Sequence, residues 1–256
     1  MTTSSTTHKP KWVSYLIKFS LAVFWLGLWQ LAYKLVGSEL LLPSPARTFH
    51  RLFELAQTGE FWLKSFFSLL RIMEGFVLGL LSGIVLGALS FVFKPLGMLL
   101  SPLMSIIKST PVASFIILAL VWMGKNRVPV FIALLMVLPL IWANVKEGIE
   151  QTDGDLLEMA QVFKLSKAKK ISHIYIPAVL PYLFAAATTA LGFAWKAGIA
   201  AEILSLPVKS IGKELYHSKI YLESVDLFAW SAAVIVMSIL IEKLLTFLLG
   251  RAKSVT

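Results

Sequence analysis

Residues 146–177 read KEGIEQTDGDLLEMAQVFKLSKAKKISHIYIP, and this is the only long polar stretch between apolar runs that also carries a helical pattern. Five acids (Glu147, Glu150, Asp153, Asp155, Glu158) come first, and after the leading Lys146 four lysines follow (Lys164, Lys167, Lys169, Lys170). Acids early and bases late suit the dipoles of helices running through the stretch. Thr152 and Asp155 stand in capping-box relation, which predicts a helix beginning near Asp153, and Leu156, Leu157, Ala160 and Phe163 then recur at helical spacing. Ser166 is placed to cap a second short helix with Ala168, Ile171 and Tyr175 on one face, until Pro177 opens the next apolar run. Two short amphipathic helices need cover for their apolar side. Either they rest on lipid at a membrane interface, or they dock on another protein.

Outward from this hairpin the chain is apolar on both sides. A bilayer core of about 30 Å needs roughly 20 mostly apolar residues per helix. Six regions qualify: Phe19–Tyr33, Gly75–Phe93, Pro95–Gly124 interrupted at Lys108, Val128–Val145, Ile174–Trp195, and Leu227–Ile241 continuing to Leu249. The expected fold is therefore an all-α polytopic membrane protein with about six transmembrane helices. Hydrophobic residues make up 57% of the 256 residues and charged residues 15%, against about a quarter in soluble domains, so a soluble fold is excluded. The net charge of +10 then belongs to loops and headgroup contacts rather than to nucleic acid. An even number of spans puts both termini on one side, but lysines and arginines divide almost evenly and do not say which. The polar start MTTSSTTHKPK is expected to be disordered, and no small-x-small cleavage pattern closes the first apolar run.

Several residues inside the runs ask for an explanation. Gly75, Gly79, Gly83 and Gly87 recur every four residues and form one slowly drifting stripe, which suits close helix packing. Arg71 and Glu74 are on adjacent turns and are expected to pair as an interfacial salt bridge. Lys108, followed by Ser109, Thr110 and Pro111, lies within a long apolar region. It marks either a pathway or helix break, or the meeting of two shorter segments with the lysine reaching the headgroups. Lys196 and Glu202 are six residues apart and do not share a helical face; either could line a cavity or sit at the membrane edge.

Chemistry of its own is not visible in this chain. Without cysteine there are no disulfides, thiolate metal sites or cysteine nucleophiles. The phosphate-cradling G-x-x-x-x-G-K-[ST] loop is missing, as are H-E-x-x-H and G-x-S-x-G, and His8, His50, His173 and His217 are too scattered to suggest a metal site. A membrane enzyme is thereby disfavoured, while an ATP-independent channel or secondary carrier remains a rival, although no internal repeat of the carrier kind is evident.

The run from Glu158 to Pro177 resembles the EAA loop of bacterial ABC importer permeases. Glu158 and Ala160 match its triplet around Met159, Ile176-Pro177 match its end, and Lys164 stands where the family has glycine. Leu42-Pro43-Ser44-Pro45, Ser68-Leu69-Leu70-Arg71, Gly75-Phe76, Trp122-Met123-Gly124, Pro139 with Asn144, and Ala194-Trp195-Lys196 with Ala201-Glu202 are similar to the nitrate/sulfonate/taurine branch. So is Lys108-Ser109-Thr110-Pro111, in place of that branch's Arg-x-x-Pro. The resemblance implies a type I importer fold in the bacterial plasma membrane with cytoplasmic termini. Residues 1–16 would be a disordered tail, 17–36 the first span, 37–65 an external loop, 66–250 the permease core with the coupling loop at 146–177, and 251–256 a tail. It implies cytoplasmic ABC ATPase subunits that bind ATP and Mg, with no cofactor on this chain. A solute-binding protein would meet the outer loops, and a second permease copy, identical or related, would complete the pathway. Glu158, Met159, Ala160, Phe163, Lys164, Ser166 and Pro177 become the ATPase-coupling residues, with Met159 and Phe163 as apolar anchors and Glu158 paired to a basic group. Lys108, Ser109, Thr110, Lys196 and Glu202 become pathway candidates.

Overall fold

The structure, a computed structural model, describes residues 11–253. Its elements are α1 (Lys11–Val36), α2 (Pro45–Ala56), α3 (Gly59–Val92), α4 (Lys94–Ser109), α5 (Val112–Trp122), α6 (Val128–Glu150), α7 (Gly154–Val162), α8 (Lys167–Lys170), a π-helical turn (Ile171–Tyr175), α9 (Ile176–Ser205), α10 (Ile211–Ile220) and α11 (Ser224–Lys253). Five helical stretches are long and apolar enough to cross a membrane, and α4 with α5 makes a sixth that is bent by 106°. Pro111 has no N–H to continue the ladder, and the backbone turns at Thr110. The third apolar run is thus an elbow and not a straight span.

Three boundaries differ from the sequence reading. Residues 11–16 are helical, so the expected disordered tail is corrected there, while residues 1–10 lie outside the described residues. The stretch 37–65 contains α2 and the start of α3, each with its own side-chain cap: Ser44 accepts from the Arg47 N–H and Thr58 from the Phe61 N–H. At the other end α11 runs through Lys253, and residues 254–256 lie outside the described residues.

The core is built by α3, α6 and α9. Each glycine of the stripe faces α6: Gly75 meets Val130 and Ala133, Gly79 meets Val137, Gly83 meets Ile141, and Gly87 meets Val145. A Cβ at Gly75 would stand 2.2 Å from the Val130 carbonyl oxygen, closer than any real contact. Lipid tails are as apolar as leucine, so helices gain by approaching closely, and missing side chains permit it. Gly148 of α6 sits likewise on Val179 and Tyr182 of α9, and Gly198 of α9 on Ile72 of α3, which closes the triangle.

The other helices lean on this triangle. Trp195 of α9 donates its indole N–H to the Val234 carbonyl at 3.1 Å, and Trp230 stacks on Phe61 at 5.0 Å, holding α11 to α9 and α3. Arg51 of α2 grips Asp226 of α11 with two hydrogen bonds of 2.7 and 3.0 Å, and these, with Glu54, hold its guanidinium charged above its usual pKa. By contrast α1 touches the rest mainly through Trp29, which bonds the Pro43 carbonyl at 3.1 Å and meets the rings of Phe49 and Phe228.

Candidate functional site

The hairpin between α6 and α9 is built by its caps. Asp153 is the N-cap of α7, its carboxylate accepting from the Asp155 N–H at 2.9 Å. This corrects the expected capping box, because the Thr152 hydroxyl points back to the Gly148 carbonyl instead. At the other end the Lys164 N–H bonds the Gln161 carbonyl and the Leu165 N–H bonds the Ala160 carbonyl, at 3.0 and 2.9 Å. That pair of bonds is a Schellman motif, which needs its C′ residue in the left-handed region. Lys164 occupies that position with φ of 50°. The sharp turn is therefore made without the glycine. Ser166 caps α8 through the Lys169 N–H as the sequence predicts.

From Lys167 to Ser205 the chain is one continuous helical stretch. Pro177 does not open a separate span. Its ring crowds the carbonyl four residues back, and the preceding π turn, in which the Ile176 N–H reaches the Ile171 carbonyl, absorbs that conflict. The second limb of the hairpin is in this way rigidly joined to α9.

Ala160 is fully buried, whereas Leu156 and Met159 are 44% exposed and Phe163 is 72% exposed. Residues at i, i+3 and i+7 share a helix face, so these three make one apolar surface, partly open at Leu156 and Met159 and most open at Phe163. Glu158 is exposed beside them.

The charges within the spans fall into two kinds. Glu202 is wholly buried, and its carboxylate accepts from the Ser68 hydroxyl at 2.7 Å, Arg71 at 3.1 Å and the Gly212 N–H at 3.2 Å. Ser68 in turn accepts from the Ile211 N–H at 2.9 Å, and Arg71 also bonds the Val208 and Lys209 carbonyls. The carboxylate thus sits at the N-terminus of α10, where a negative charge is favoured, and ties α3, α9 and α10 together. Two expectations are corrected here. Arg71 pairs with Glu202 and not with Glu74, which pairs with Arg127 at 3.0 Å, and Glu202 lines no open cavity in this conformation. Ser68 and Gly212 were not singled out for this role. The available signal was an acid inside the apolar run AAEIL whose nearest lysine lies on another face.

Lys108 and Lys196 are the second kind. Both are exposed, and neither has a carboxylate within 4 Å among the described residues. Lys108 lies in the last turn of α4 at the elbow, where the Ser109 and Thr110 hydroxyls both donate to the Ile106 carbonyl and keep only acceptor capacity. Lys196 is one turn before Ala200, which packs with Ala197 and Ala201 against Val112, Phe115, Ile116 and Ala119 of α5. The elbow and the lysine-bearing part of α9 are in this way neighbours through α5.

The description "binding-protein-dependent transport system inner membrane component" matches residues 75–252. The nitrate import permease protein of Synechococcus elongatus is 31% identical over 212 residues, covering 78% of this chain and 76% of its own. The bicarbonate transport system permease protein of the same organism is 32% identical over 155 residues, 60% of this chain, and the match takes in only 55% of that relative. A putative aliphatic sulfonates transport permease protein of Bacillus subtilis is 29% identical, covering 70% of this chain and 66% of its own. Among solved structures, an amino acid ABC transporter superimposes with a TM-score of 0.59 at 13% identity, covering 74% of this chain and 90% of its own. A methionine ABC transporter in inward-facing conformations gives 0.55 at 17%, covering 76% and 94%. At such identities the two structures speak for the fold alone.

Proposed function

We propose that this chain, which belongs to the family of binding-protein-dependent transport system inner membrane components, is the transmembrane permease subunit of an ATP-driven importer of small solutes. The single observation that carries the reading is the uncovered face of Leu156, Met159 and Phe163 on a capped hairpin joined rigidly to a membrane span. Such a face fits the cleft of a separate cytoplasmic ATPase, which binds ATP and Mg, with Glu158 meeting a basic group at its rim. The termini then lie in the cytoplasm, a second permease copy completes the pathway, and a solute-binding protein delivers cargo to the outer side near α2 and α10.

The continuous stretch from Lys167 to Ser205 supplies the transmission. A push on α7 when the ATPase subunits close passes through the lysine turn into α9, and Glu202 at its far end carries it to the 206–210 loop and α10. Access then alternates between the two sides as a rocking of packed helices.

Phe163→Asp tests the docking reading. The variant should insert and fold, yet lose ATPase co-purification and ATP-driven uptake; both surviving intact would refute it. Uptake that persists without ATP would instead favour a carrier.

For the cargo, two lysines within the apolar runs that have no carboxylate partner, one at the α4 elbow and one on α9, support a small oxyanion, because a cation there needs water or an anion. The named substrates of the relatives above, nitrate, bicarbonate and sulfonates, have that chemistry in common. Lys108→Gln and Lys196→Gln should each reduce uptake of such an anion while ATPase binding stays unchanged. Unaltered uptake in both would remove the lysines from the pathway.

A further inference from the structure

Beside the hairpin lies a cleft of about 510 Å³ that the transport cycle above does not use. Its walls are Ile84 and Ala88 of α3, Val145 of α6, and Val179 and Leu183 of α9; its surface is almost wholly apolar, and the charged residues that border it are Lys167 and Lys170. The order of residues along the continuous helix fixes its polarity: the lysines stand at the hairpin end and Leu183 at the deep end. Sixteen residues at 1.5 Å each separate Lys167 from Leu183, roughly 24 Å. Half a bilayer with its headgroups is about 20–22 Å deep. Along the continuous helix the lining therefore runs about the depth of one leaflet, the interior is apolar, and two lysines stand at its hairpin end. Neither lysine has a carboxylate within 4 Å among the described residues.

We infer that this cleft is a seat for one acidic phospholipid, its acyl chain lying along Ala88, Val145 and Val179 and its phosphate held by Lys167 and Lys170. Basic pockets between spans on the cytoplasmic side bind anionic headgroups through the same combination of charge and groove. The occupant touches α3, α6 and the lysine turn at once. It thereby props the joint through which the hairpin moves α9, and its headgroup charge sets how firmly the joint is held.

Counting retained lipid tests the seat. The full chain is purified in mild detergent from membranes containing phosphatidylethanolamine and phosphatidylglycerol, and bound phospholipid is measured by native mass spectrometry. About one phosphatidylglycerol per chain should remain, strongly enriched over the bulk membrane. Each lysine is worth about fivefold in affinity, so Lys167→Gln with Lys170→Gln should release the lipid by roughly twenty- to thirtyfold. Lys125→Gln, far from the cleft, should leave retention unchanged. Ala88→Trp fills the groove and should exclude the lipid with both lysines in place; a melting curve like that of the parent shows that it still folds. Retention without headgroup preference would overturn the seat, as would retention indifferent to the double substitution or to Ala88→Trp. So would a cysteine crosslink from Tyr175→Cys to a second copy that occupies the cleft. Because the readout is bound lipid and not uptake, it remains interpretable whether or not the importer reading holds.

Discussion

The α3–α6 seam and the outer face of α7 are both apolar and both written at helical spacing, yet the seam presents glycines and the hairpin presents Leu156, Met159 and Phe163. Gly75, Gly79, Gly83 and Gly87 have no side chain because α6 fills the space, down to a would-be contact of 2.2 Å at Gly75. On α7 the side chains are large and Phe163 is 72% exposed. Within a bilayer, side-chain bulk is removed where two helices must approach closely. Exposed bulk on a polar loop away from the spans has no lipid core to cover it, which is why it points to a partner.

The largest effect should come from undoing the seam. Gly75→Leu drives a side chain into the Val130 carbonyl and Ala133, and overpacking against backbone costs about 3 kcal/mol or more. Little folded protein should be recovered, measured as monodisperse yield and thermal unfolding in detergent. Phe163→Ala, on the hairpin, should shift stability by no more than about 0.5 kcal/mol. Equal losses in the two variants would mean that the two surfaces do not differ in kind.

Next in size is the polar tie at the opposite end of α9. Glu202→Ala leaves Arg71 without its carboxylate and Gly212 N–H and Ser68 without their acceptor, a loss of about 3 kcal/mol. Ser68→Ala alone should cost about 1–2 kcal/mol, and the double variant should cost less than the sum, because one network is being broken twice. Strict additivity in thermal unfolding would contradict the tie.

The extent of what could be read from the sequence follows the same division. Helices, the glycine stripe, the Ser166 cap and the break at Pro111 are local patterns, and the structure has them where the spacing puts them. The Arg71–Glu202 tie spans 131 residues, and no local rule pairs two such residues. Proximity instead suggested Glu74, which finds Arg127 across 53 residues. Continuity from Lys167 to Ser205 was hidden for a different reason. Proline ordinarily marks a helix start, and only the π turn ahead of Pro177 lets the helix run through. The hairpin's apolar face was legible as a pattern, while its exposure needed the fold.

On the proposed docking face the effects should be graded and confined to binding. Phe163→Ala removes the most exposed aromatic anchor and should weaken ATPase association at least tenfold, with Met159→Ala smaller and Val162→Ala, a shorter side chain at the edge of the face one turn after Met159, smaller again. Association measured by titrating detergent-solubilised permease with the ATPase would reveal the order. A reversed order would move the docking face around α7 toward Val162.

The smallest expected effect is at the turn that joins the two limbs. Lys164 holds a left-handed conformation that costs a residue with a Cβ about 1–2 kcal/mol, and glycine would relieve it. Glycine also adds unfolded-state freedom worth about 0.5–1 kcal/mol, so Lys164→Gly should gain only about 0.5 kcal/mol. A β-branched residue has the opposite sign: Lys164→Val adds crowding to the same φ and should lose about 1 kcal/mol or more, read as faster amide exchange in α7. If valine were tolerated as well as glycine, the left-handed turn would not be what fixes the angle between α7 and α8. The hairpin would then owe its shape to the partner that covers it.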